Sequence, residues 1–170
     1  MFIENPVAGH VGKPTGRQVA AVIGAPCRRR NRARVIGKAL ARIGEFDWVV
    51  IATPSTRETD SLIGADELAA MKDSAILVNI ARGECVDQDA LIETLRGRKI
   101  GGAFLDVVTP EPLPADHELW TLPNVQISMH LSGRAQTRMF QRSAALFAEN
   151  LGRFVRGEML VNEVDLALGY

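Results

Sequence analysis

The sequence predicts an α/β fold, a mostly parallel sheet with flanking helices whose first strand–helix–strand unit is incomplete. Three observations carry that expectation. From Phe46 onward, short β-rich apolar runs alternate with segments of helical spacing. The runs show no regular apolar–polar alternation, as expected of strands covered on both faces. The front of the chain has one such run but no intact glycine-rich turn after it.

The elements follow in order. Residues 47–52 (DWVVIA) form a short β-rich run. Residues 65–71 are a short helix leading into a second strand at 75–80 (AILVNI). Asp87 is placed to cap a helix over 88–96, where Leu91, Ile92 and Leu95 make an apolar face. Gly97 is placed to stop it. Residues 101–108 (GGAFLDVV) and 125–129 (VQISM) are the next strands. The last helix spans about 134–156, with Phe140, Ala144, Phe147, Leu151 and Phe154 at three- and four-residue spacing, and Gly157 ends it. Strands alternating with helices at this spacing make right-handed βαβ units. Residues 109–123 carry four prolines in fifteen positions, so this stretch is an ordered, irregular loop, and long loops in compact domains are often functional.

Composition narrows the function. With 170 residues the chain is one domain, large enough to bury a core. Twenty basic residues balance twenty acidic ones, which gives no global pull toward nucleic acid or a membrane surface. The apolar runs are too short to span a bilayer, and residues 1–12 lack the pattern of a signal peptide. Cys27 and Cys85 make no disulfide framework, so reduced thiols and a cytoplasmic location are expected. No metal-ligating pattern is visible.

In open α/β sheets, ligands sit beyond the carboxyl ends of the strands. Those ends carry Thr53–Pro54, then Ala81–Arg82–Gly83, then Asp106 to Glu111, then His130. An arginine, two carboxylates and an imidazole thus reach one edge. Each alone is commonly a surface residue; together they suit one chemistry. Arginine holds a carboxylate through two parallel hydrogen bonds. Histidine exchanges a proton with a hydroxyl or carbonyl oxygen, and a neighbouring glutamate orients the ring and favours its charged form. That set suits a 2-hydroxy or 2-oxo acid, with the hydride drawn from a cofactor.

The segments ATPSTRETDSLIGADELAAMK, LVNIARGECVDQDALIETL, GGAFLDVVTPEPLPADHELWTLPNV and MHLSG resemble, in the same order, the D-isomer-specific 2-hydroxyacid dehydrogenases. The similarity covers about residues 35–170. The resemblance implies a Rossmann-like domain that binds NAD or NADP, a small 2-hydroxy or 2-oxo acid substrate and a homodimer, with neither nucleic acid nor membrane as partner. It implies catalytic roles for Arg82, Glu111 and His130, and a contact from Asp106 to the nicotinamide carboxamide. Thr53, Pro54, Ile80, Ala81 and Gly133 fall where the family lines the nicotinamide half of the cofactor. Trp120 falls where an aromatic closes the substrate pocket; packing in the core is the other reading of a tryptophan there.

The front end departs from the family. Gly16–Gly24 (GRQVAAVIG) resembles its first strand, with Gly24 as the first fingerprint glycine. Pro26 and Arg29 then stand where glycines would allow the tight turn and close approach to a pyrophosphate. In a second register, residues 19–24 are the second strand and VAGHVG at 7–12 the fingerprint, leaving six residues for a crossover that needs about ten to twelve. The run with Arg28, Arg29, Arg30, Arg32 and Arg34 has three readings: a solvated loop, a partner for a cofactor phosphate, or, most weakly, a nucleic-acid contact. The expected organisation is therefore a divergent segment over 1–34 and a partial NAD(P)-binding domain over 35–170, without a separate substrate domain. The expected function is an oxidoreductase acting on a 2-hydroxy or 2-oxo acid. The alternative is a truncated, non-catalytic dimerising or cofactor-sensing module of the same fold.

Overall fold

A computed structural model describes residues 2–4, 19–24, 32–128, 130–131 and 138–163. The chain forms two compact units, residues 1–130 and 131–170. The first holds a six-stranded sheet: β1 (Phe2–Glu4), β2 (Val19–Gly24), β3 (Trp48–Ala52), β4 (Ile76–Asn79), β5 (Gly102–Leu105) and β6 (Val125–Ile127). Their spatial order is their order in the chain. Strands β2 to β6 are parallel throughout, and β1 lies antiparallel on the outer edge of β2. The crossovers carry α1 (Arg32–Leu40), α2 (Ala65–Ala70) and α3 (Gln88–Arg96).

Register explains the core. Val49 lies opposite Leu77, which lies opposite Ala103; Ile51 lies opposite Asn79, which lies opposite Leu105. Period-2 alternation puts these residues on one face of the sheet. Except for Asn79, which is also buried, they form one apolar cluster with Ile36 and Ala39 of α1, Leu68 of α2, and Leu91 and Leu95 of α3. Strands that advance steadily in one direction through right-handed crossovers must carry their helices on that single face. The other face shows Trp48, Val50, Ile76, Val78 and Phe104, all only half-buried.

Local chemistry sets the helix ends. The Asp87 side chain accepts the Ala90 N–H at 3.1 Å, as a cap should. α3 stops at Gly97, but the left-handed residue there is Arg98, at φ 50°. Glu67 reaches back to the Gly64 N–H at 3.1 Å to start α2. In the second unit, α4 (Arg138–Val155) is followed by Gly157 at φ 69°. Along α4, Phe140, Phe147, Leu151 and Phe154 are exposed.

Two expectations change at the edges. The strand expected over 101–108 ends at Leu105, because β6 pairs only with residues 103–105. The arginine-rich run is not one loop, since Arg32 and Arg34 lie within α1; its residues 27–31 are outside the described set. Strand β2 abuts β3 directly, as the first strand of a doubly wound sheet abuts the fourth. That placement agrees with Gly16–Gly24 as the first strand and not with the second register. One helical crossover, α1, joins the two. Among the described residues no helix is long and apolar enough to cross a membrane.

Candidate active site

Because β3 to β6 are parallel, their carboxyl ends share one edge, and four short segments there carry the residues of interest. After β4, the buried Asn79 fastens the turn. Its Oδ1 accepts the Ala81 N–H at 3.0 Å, and its Nδ2 donates to the Arg82 carbonyl at 2.8 Å. The turn holds Ala81 buried and leaves Arg82 exposed, with Nη1 donating to the Ala81 carbonyl at 2.6 Å. The 3-10 turn Gly83–Cys85 follows. Burial pushes the Cys85 thiol above its ordinary pKa, so it stays protonated and is no nucleophile near neutrality.

After β5, Asp106 is 2% exposed. Its N–H donates to the Asn79 carbonyl at 2.9 Å, its carbonyl accepts the His130 N–H at 2.8 Å, and its Oδ1 accepts a short hydrogen bond from Ser128 Oγ. The chain then swings outward, and Glu111 turns back so that its Oε1 accepts the Val108 N–H at 3.2 Å. After β6, His130 adopts φ 54°, a left-handed backbone uncommon outside glycine and found at functional positions. In that conformation Nδ1 lies 3.0 Å from Glu111 Oε2. Both side chains are near half exposure, at 48% and 40%, so the pair orients the ring and adds little to stability.

Asp106, Glu111, Trp120 and His130 line one cleft of about 340 Å³ with Val108, Pro112, Leu113, Ile127 and Ser128. Trp120 is 46% exposed and donates Nε1–H to the Pro114 carbonyl at 2.8 Å. The bidentate Arg96–Glu118 pair ties its 3-10 turn, Glu118–Trp120, to α3 and holds the Glu118 carboxyl below its ordinary pKa. Arg82, Thr53, Pro54, Ile80 and Ala81 lie on the same edge but do not line this cleft. Gly133 lies outside the described residues. No group of three or more metal-ligating side chains is present among the described residues.

Sequence reasoning missed Asn79 and Ser128, the side chains that hold Arg82 and Asp106. Asn79 sits three residues before Arg82, but Ser128 is 22 residues from Asp106, so that contact exists only once β5 and β6 are paired.

The residues present fit the nicotinamide end of a dinucleotide. Ile80 leaves an apolar side chain 40% exposed at the end of β4, between the buried Thr53 of the β3 end and the buried carboxylate of Asp106. An apolar surface with flanking polar groups suits a heteroaromatic ring bearing a carboxamide. Residues 25–31, where a pyrophosphate would approach the turn after β2, are outside the described set.

Known proteins share this domain. Residues 16–132 match the model of the D-isomer specific 2-hydroxyacid dehydrogenase NAD binding domain. The glyoxylate/hydroxypyruvate reductase B of Pectobacterium carotovorum is 44% identical over 123 residues, covering 72% of this chain and 38% of that protein. A Xanthobacter autotrophicus D-isomer specific 2-hydroxyacid dehydrogenase, solved with NADPH and MES, superposes with a TM-score of 0.71 at 39% identity, over 78% of this chain and 54% of that one. The D-lactate dehydrogenase of Lactobacillus jensenii, solved with NAD+, gives a TM-score of 0.65 at 30% identity, over 74% and 42%. This chain spans about half or less of the curated relatives it matches. With the family's domain matched over most of its length, the chain belongs to the D-isomer specific 2-hydroxyacid dehydrogenase family.

Proposed function

We propose that this chain carries the cofactor-side part of an active site that interconverts small 2-oxo and 2-hydroxy acids with NAD or NADP. The observation that supports it most is the Glu111–His130 pair at 3.0 Å, in one cleft with the buried Asp106. A carboxylate can only accept, so Nδ1–H of His130 donates to Glu111 and Nε2 is left to face the substrate. In the reductive direction Arg82 clamps the substrate carboxylate. Its guanidinium has five N–H donors, and one meets the Ala81 carbonyl. His130 delivers a proton from Nε2 to the carbonyl oxygen as negative charge develops there, and Glu111 stabilises the imidazolium that gives it up. Asp106 accepts from the carboxamide, and Thr53, Pro54, Ile80 and Ala81 border the ring. NAD(P)H, when bound, supplies the hydride to the carbonyl carbon. Trp120 narrows the substrate side of the cleft. The relatives' names, glyoxylate and hydroxypyruvate reductase, give the first substrates to try.

A second reading, a non-catalytic dimerising or cofactor-sensing module, rests on Pro26 and Arg29 in place of the fingerprint glycines. Pro26 has no N–H to offer an anion, and Arg29 adds bulk where backbone should approach. For the same reason, weak cofactor binding is expected.

The test separates recognition from turnover. The His130 ring signals should shift saturably with glyoxylate and NADPH, and Arg82→Gln should abolish the glyoxylate response. Calorimetry should show weak cofactor binding, and light scattering a homodimer. If His130 is indifferent to both ligands, the oxidoreductase reading fails and the module reading stands.

A further inference from the structure

We propose that Gln88 is a positioning residue for the Glu111–His130 pair. The proposal rests on the role given above to that pair. Gln88 opens α3, six residues after Arg82, and its side chain reaches across to the loop that follows β5. Its Oε1 accepts the Thr109 N–H at 2.9 Å, and its Nε2 donates a short hydrogen bond to the Thr109 carbonyl. A primary amide that binds both the N–H and the C=O of one residue acts as a neighbouring β-strand would, fixing position and rotation together.

Thr109 governs Glu111 through very few bonds. Glu111 lies two residues on, and its Oε1 is held by the Val108 N–H, immediately before Thr109. Gly83 lies against the same two residues: a Cβ there would fall 2.3 Å from both the Val108 carbonyl oxygen and Thr109 Oγ1. Gln88 therefore pins by hydrogen bonds a loop that also packs closely on Gly83. The segment after β4, which presents Arg82, and the loop after β5, which presents Glu111, are thereby held in one register.

Imidazole tautomers read the geometry with no need for cofactor or turnover, so the outcome stays informative even if the oxidoreductase reading fails. His130 donates from Nδ1 to Glu111. His117 accepts the Leu119 N–H on Nδ1, at 3.2 Å, and must carry its proton on Nε2. Nitrogen-15 NMR at about pH 9, where an unperturbed imidazole is neutral, distinguishes the two forms. Gln88→Met keeps the side chain's length and removes both hydrogen bonds. It should turn His130 from mostly Nδ1–H to a mixture of comparable shares, leave His117 as it was, and speed Thr109 amide exchange about five- to tenfold. Gln88→Glu keeps the acceptor for the Thr109 N–H and should fall between wild type and Gln88→Met. The proposal is overturned if Gln88→Met leaves the His130 tautomer ratio unchanged. It is also overturned if His117 shifts as much as His130, since that would mark a general disturbance of the fold.

Discussion

Replacing Gly83 by alanine puts one methyl group where the structure has no room for it. The added Cβ would meet Thr109 Oγ1 and the Val108 oxygen at 2.3 Å and the Val108 carbon at 2.4 Å. Real Cβ atoms essentially never approach closer than 3.0 Å, so the loop must retreat by 0.7 Å or more. Two of the three atoms are backbone, and no rotamer change relieves them. Overpacking of this kind costs about 1–3 kcal/mol. At about 2–4 °C per kcal/mol for a chain of this size, the melting temperature should fall by roughly 2–12 °C. The retreat also acts on the Glu111–His130 contact, which at 3.0 Å has about 0.5 Å in hand before it ceases to be a hydrogen bond. A calorimetric scan and the His130 ring spectrum together make the assay. A Gly83→Ala protein with an unchanged melting temperature and an unchanged Nδ1–H signal would refute the packing argument.

Two further outcomes follow from named contacts. Asp87→Ala removes the oxygen that accepts the Ala90 N–H and should cost about 1 kcal/mol, read as a lower midpoint in urea with unchanged slope. Acid should release Trp120. The Arg96 hydrogen bond lowers the pKa of Glu118 from 4.5, so the pair's contribution is fully present above 4.5 and is lost as pH falls through the lowered value. Tryptophan fluorescence should therefore change in that acid window in wild type, and Glu118→Gln should remove the change; a pH response that persists in the variant would exclude this pair as its cause.

Much of the fold was legible because its signals are local. Asp87 and Gly157 act where capping chemistry puts them, and the four apolar runs from Trp48 onward became adjacent parallel strands. Strand lengths were less legible, since they depend on the partner. β5 stops at Leu105 not for want of β-forming residues, as Val107 and Val108 follow, but because its pairing with β6 ends there. The proximity of Glu111 and His130 was expected from motifs nineteen residues apart, whereas Gln88 and Gly83 were silent. A glutamine at a helix start and a glycine after an arginine have many ordinary explanations. Their effect on the Glu111 loop exists only once α3 and the segment after β5 are packed side by side.

The order of the strands bears on the site as much as the motifs do. A doubly wound sheet reverses its winding beside its first strand, and the crevice at that reversal takes the dinucleotide. Here the order runs from β1 to β6 without a reversal, and the neighbour on the outer side of β2 is a three-residue antiparallel strand. An antiparallel strand ends at the opposite edge of the sheet, so β1 brings no carboxyl terminus to the ligand side. The ends of β3 to β6 bring Thr53, Arg82, Asp106 and His130 to that side. On the proposed function, these strands would meet the reacting end of a nicotinamide dinucleotide, while the adenosine end would lie over strands that the described sheet does not have. The described crossovers all pack on the other face, and Trp48, Val50, Ile76, Val78 and Phe104 on this one are half-buried.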